Sequence, residues 1–122
     1  METKKEDLVM YILVNSEIGM KTGKIASQVA HSVQLLTEEM IRSAYEQIPV
    51  PEYYFRYAKW AKNPTKIVLK ATTKQLLELS KMKEVRAIID DGQTQVEPGS
   101  MTCVCFFPSN QYGELMKDFK LL

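Results

Sequence analysis

The run Leu8-Val9-Met10-Tyr11-Ile12-Leu13-Val14 is apolar without alternation, the pattern of a strand covered on both faces. A polar loop from Asn15 to Thr22 follows and carries Gly19. From Gly23 to about Ile48 the period becomes helical. Stepping ~100° per residue gathers Ile25, Val29, Val33, Leu36, Met40 and Ala44 into one arc, which predicts a helix packed on the sheet. Pro49 and Pro51 end that helix. Glu52 to Lys62 reads as a shorter aromatic helix closed by Asn63-Pro64, and Lys66 to Lys70 as a strand. Thr73 is the expected N-cap of a helix carrying Leu76, Leu77 and Leu79. Val85 to Ile89 is a strand running into Asp90-Asp91-Gly92, and Pro98-Gly99 has the residue types of a type II turn. Thr102 to Phe107 is the last predicted strand, with a terminal helix from about Ser109 to Phe119. The order β-α-α-β-α-β-β-α predicts an α/β fold. Residues 1–122 form a single three-layer domain, with a mixed, mainly parallel sheet of about four strands and helices on both faces.

Composition narrows the function more than the fold. A chain of 122 residues is enough for one core and not two. Sixteen basic and fifteen acidic side chains leave a formal charge of +1, so any RNA binding must come from a local basic patch. Apolar runs fall short of the ~18 residues that span a bilayer. Met1 to Asp7 mixes charges of both signs and lacks a signal-peptide pattern, so a cytoplasmic protein that leaves membranes alone is expected. Cys103 and Cys105, two apart in an apolar run, read as buried free thiols. Two thiols without further ligands suit neither zinc nor an adjacent in-strand disulfide, and no metal or cofactor is expected.

Three segments can carry chemistry. Gly19-Met20-Lys21-Thr22-Gly23-Lys24 joins a strand to a helix, but it fails as a nucleotide-binding loop. Such a loop has four residues between its glycines and a Ser or Thr after the lysine; here there are three, and Ile25 follows. A helix start bearing Lys24 still favours an anion, although a solvent lysine at a helix start explains the spacing as well. On the helical wheel Lys24, Ser27, Gln28 and His31 fall together, away from the apolar arc and near the carboxyl end of the first strand, where α/β sheets collect ligands. Asp90-Asp91-Gly92-Gln93-Thr94-Gln95 leaves the carboxyl end of another strand; alone it is an ordinary polar turn. If the strands run parallel, the two patches share an edge and offer the inventory for hydrolysis by an oriented water. The third segment is Tyr53 to Lys62. Its aromatics sit at core-facing helical spacing, while Arg56, Lys59 and Lys62 are either a solvated face or half of an RNA patch.

These residues resemble a known family. Met20-Lys21-Thr22-Gly23-Lys24-Ile25-Ala26-Ser27-Gln28-Val29-Ala30-His31-Ser32 is similar to the type 2 peptidyl-tRNA hydrolase signature Gly-Lys-x-Ala-Ala-Gln-x-x-His-Ala. Asp90 to Ser100 resembles that family's second block, Arg-Asp-Ala-Gly-x-Thr-x-x-x-Pro-Gly-Thr. The blocks stand in the family's order around a Lys-Ile-Val-Leu-Lys strand, and the ending Phe119-Lys120-Leu121-Leu122 is also similar. The resemblance implies hydrolysis of the peptidyl-tRNA ester without a metal. By position Lys24, Gln28 and His31 match the helix block and Asp90, Thr94, Pro98 and Gly99 the second, so catalysis is expected of Lys24, His31, Asp90 and Thr94; the candidates for tRNA contact are Lys21, Gln28 and Gln95, with Arg56, Lys59 and Lys62 from the aromatic segment. The resemblance also implies a homodimer. Three positions depart from the family: Gly19 and Thr22 stand where lysines are usual, and Ile89 where an arginine precedes the aspartate. Each exchange removes a cation from one edge, so the alternatives are a noncatalytic RNA-binding relative or a protein-interaction domain.

Overall fold

The computed structural model describes residues 7–91, 97 and 99–122. Five strands form one sheet: β1 (Met10–Asn15), β2 (Lys66–Ala71), β3 (Val85–Ile89), β4 (Met101–Phe106) and β5 (Lys120–Leu121), in the order β3-β4-β1-β2-β5. The helices are α1 (Thr22–Glu46), α2 (Glu52–Trp60), α3 (Thr73–Leu79) and α4 (Gly113–Met116). The α/β class, the mixed sheet and the three layers agree with the pattern of the sequence.

The strand directions differ from the expected mainly parallel sheet. Among the described residues only β1 and β2 pair in parallel, as their long crossover through α1 and α2 requires. The pairs β1–β4, β2–β5 and β3–β4 are antiparallel. The reason is that β4 lies between β3 and β1 and runs against both. Reversing twice leaves β1, β2 and β3 running the same way. Their carboxyl ends therefore share one edge, as the sequence argument needed.

Both faces of β1 are covered, which explains its unbroken apolar run. Met10 and Ile12 pack with Leu36, Met40, Trp60, Cys105 and Phe107 beneath α1 and α2. Tyr11 and Leu13 pack with Leu76, Leu79, Val104, Phe106 and Met116 beneath α3 and α4. Cys103 and Cys105 are free, buried thiols on the α1 side; burial pushes them up to about 11 and about 12 respectively.

Two local expectations change. Thr72, not Thr73, caps α3: its hydroxyl accepts from the Gln75 N–H, and the Gln75 side chain accepts from the Thr72 N–H, a reciprocal capping box. The predicted terminal helix contracts to α4, and the tail becomes β5, where Leu121 pairs with Leu69. A two-residue strand is too short to leave a periodic signal.

Candidate active site at the carboxyl edge of the sheet

Asp90 follows the last residue of β3 and is 5% exposed. Its backbone closes the β3–β4 connection: its N–H donates to the Ser100 carbonyl at 2.9 Å, and its carbonyl accepts from the Gly99 N–H at 2.8 Å. Gly99 has φ +83, and the Ser100 N–H returns to the Glu97 carbonyl at 3.2 Å. That is the left-handed third position and the closing bond of the expected type II turn. The turn fixes where the aspartate leaves the sheet.

Lys24 meets Asp90 from α1. Its ammonium forms an ion pair with the Asp90 Oδ2, and the two side chains are 11% and 5% exposed. Two separated segments that were only expected to share an edge are thus in direct contact. Lys21 is the N-cap of α1 and makes no side-chain capping bond, so the positive end of the helix dipole lies at the same edge.

Gln28, one turn further on, does not face away from the core. It is 8% exposed, and its Nε2 donates to the Thr102 hydroxyl at 2.8 Å. Thr102, fully buried on β4, donates in turn to the Ile88 carbonyl at 3.3 Å. The buried stripe of α1 runs through Gln28, Ser32, Leu36, Met40 and Ser43, turned to one side of the purely apolar arc. The stripe tolerates polar residues because each is satisfied. Ser32 donates to the Val29 carbonyl and Ser43 to that of Glu39.

His31 is exposed on α1. Seven residues of helix separate it from Lys24 by ~10 Å along the axis, so it flanks the ion pair and does not join it. Lys21 is exposed at the head of the helix. Thr94, Gln95 and Pro98 lie outside the described residues. Arg56 sits at the opposite edge: it donates to Glu52, to both carboxylate oxygens of Glu84 just before β3, and to the Pro108 carbonyl beyond β4. Burial lowers its pKa, but the bonds to Glu84 and Glu52 outweigh that and leave it raised. Arg56 is a clamp between α2 and the sheet. Lys59 and Lys62, both exposed, belong to that end as well, about a strand length (~17 Å) from Asp90.

Sequence reasoning missed Asn15 at the end of β1. It is 3% exposed and donates to the Thr73 hydroxyl and the Met101 carbonyl, both at 2.9 Å, while its Oδ1 accepts from the Glu17 N–H. Glu17 accepts from the Thr73 N–H at 2.7 Å. Together they tie the loop before α1 to α3 and β4. A lone Asn at a strand end gives no signal of two long-range partners. Gly19, in that loop, has φ +70, which L side chains rarely adopt.

The fold and this edge define an α/β protein that holds a buried lysine–aspartate pair beside a helix N-terminus. The sequence model of the family described as Peptidyl-tRNA hydrolase PTH2 matches residues 8–122. A peptidyl-tRNA hydrolase of Saccharolobus islandicus strain L.S.2.15 is 34% identical, covering 93% of this chain and 98% of its own. Those of Saccharolobus solfataricus and Metallosphaera sedula are 32% and 33% identical over the same shares. The chain belongs to the peptidyl-tRNA hydrolase family PTH2.

Proposed function

We propose that the protein hydrolyses the ester joining a peptide to the 3′ ribose of tRNA, releasing peptide and free tRNA. The observation that carries this reading is the buried Lys24–Asp90 pair at the edge where α1 begins. Asp90 accepts a proton from water as that water attacks the ester carbonyl, and Thr94 and His31 position the water. Lys24 fixes the carboxylate, and the ammonium together with the head of α1 stabilises the oxyanion. Collapse of the tetrahedral intermediate returns that proton to the ribose oxygen, and the new peptide carboxyl, which keeps the second proton of water, loses it to solvent and ends as a carboxylate. Lys21, exposed at the head of α1, contacts the tRNA end, while Gln28 acts from beneath by seating α1 on Thr102.

A cytoplasmic place in translation and a homodimer go with this reading. No described helix is long and apolar enough to cross a membrane. Tyr45, Ile48 and Phe55, between 60% and 100% exposed around the α1–α2 connection, are the surface offered to a second copy. Sedimentation at micromolar concentration tests the dimer. The activity is tested by following ester cleavage of an N-blocked aminoacyl-tRNA. Cleavage is the expected result; tight, salt-sensitive binding without cleavage would make the protein a noncatalytic RNA-binding relative.

A further inference from the structure

One margin of the sheet of this near-neutral chain carries three exposed lysines, Lys66, Lys70 and Lys120. Val68 packs toward α1 and α2, whereas Ile67 and Leu69 pack toward α3 and α4. By strand alternation Lys66 and Lys70 therefore stand on the α1–α2 face. Lys120 of β5 is the direct antiparallel partner of Lys70, so the two exposed lysines project from the same face. Like charges placed directly opposite destabilise a sheet. Among the described residues neither Lys70 nor Lys120 pairs with a carboxylate, although Lys24, Lys81 and Lys117 do. Lys66, ~13 Å back along β2, is held with its ammonium 5.0 Å from the Trp60 ring centroid. A pair that opposes folding and lacks an internal counter-charge has the design of a site for an external polyanion.

The strip also lies where substrate would need it. α1 covers β4, β3 and β1 on this face, and the β2–β5 margin beyond it carries the lysines. Lys70 is in register with Val14, which packs with Ile25, Val29 and Ile88 beside the head of α1. Strand spacings of ~4.8 Å put Lys70 ~14 Å and Lys120 ~19 Å across the sheet from the β3 end that bears Asp90. That span is a few nucleotides of RNA backbone.

We infer that Lys70 and Lys120, with Lys66 behind them, form a track for the phosphate backbone of the tRNA whose 3′ end lies at Asp90. The inference rests on the proposed hydrolase reading and deepens it by naming the surface that recognises RNA. The test is equilibrium binding of uncharged tRNA across a salt series. It compares wild type, Lys70→Gln/Lys120→Gln, Lys70→Arg/Lys120→Arg, and Lys81→Gln/Lys117→Gln. The glutamine pair at 70 and 120 should weaken binding roughly tenfold at ~0.1 M salt and flatten the log–log salt slope by about 2, near one per lost phosphate contact. The arginine pair should restore both, and the 81/117 control should change neither. Thermal melting should show the 70/120 glutamine variant at least as stable as wild type, since a repulsion has been removed. An unchanged slope in that variant, or an equal loss in the 81/117 control, overturns the track. Preference for anionic lipid vesicles over tRNA, lost in the same variant, also overturns it. Ester cleavage by wild type is scored separately, so a protein that binds tRNA through this strip but does not cleave would sink the hydrolase reading alone.

Discussion

Lys24 and Asp90 are nearly out of water, so each depends on the other for its charge compensation. Removing one partner strands the remaining charge in a low-dielectric setting, a loss of roughly 3–5 kcal/mol. Denaturant unfolding should therefore show large losses for Lys24→Met and Asp90→Asn singly. The double variant should lose clearly less than their sum; strict additivity would mean the pair contributes nothing. Residue-level reading of the sequence found both partners but not their contact, because spacing along a chain does not reveal which side chains meet across a sheet. It also counted Gly19 simply as a lost cation. The backbone adds a reason, since Gly19→Lys would force a left-handed lysine at a cost of about 1–2 kcal/mol. Ile89 carries no such constraint and is 54% exposed. Ile89→Arg should steepen the tRNA salt slope by about 1, read by the same titration.

At the scale of elements, α1 decides the site. Its buried stripe seats the helix on β4 through Leu36 and Met40 at one end and through the Gln28–Thr102 bond at the other. Lys24 reaches Asp90 because that seat is fixed. Thr102→Val would leave the Gln28 amide buried without its acceptor, costing about 1–3 kcal/mol. Thermal unfolding checks this loss, and the restored hydroxyl of Thr102→Ser should recover most of it. The wheel identified Leu36 and Met40 from apolarity alone. It turned Gln28 outward because it scored a hydrogen-bonded amide as surface, and the partner hydroxyl that reverses this lies on a strand far along the chain. The cap of α3 was misplaced by one residue for a related reason: Thr72 and Thr73 are both good caps by type. The choice is made by Gln75 closing the box on Thr72 while Asn15 engages Thr73.

Across the whole molecule, the class of fold was legible because the covered strand β1 and the long helix α1 have distinct periods. The strand directions were not, since whether β4 inserts between β3 and β1 is a tertiary choice that local pattern does not encode. The expected shared edge of the Asp90 and Lys24 segments survived that uncertainty because two reversals cancel. The buried β4 thiols add a property of the intact fold. Unfolded, they lose protons from about pH 9; folded, Cys103 holds its proton to about 11 and Cys105 to about 12. Their contribution is complete below pH 9 and is lost as pH rises through the folded values, because only the unfolded state gains by ionising. The urea midpoint should fall across that alkaline window, and less steeply in Cys103→Ala.

In the proposed reaction the buried carboxylate at this edge is the general base of ester hydrolysis. Single-turnover cleavage of N-acetyl-aminoacyl-tRNA tests it most directly, comparing wild type with Asp90→Asn at a temperature where circular dichroism shows both folded. Wild type should cleave, and the variant should lose about 10²-fold or more, the scale of a positioned general base. Equal rates for the two folded proteins would contradict it.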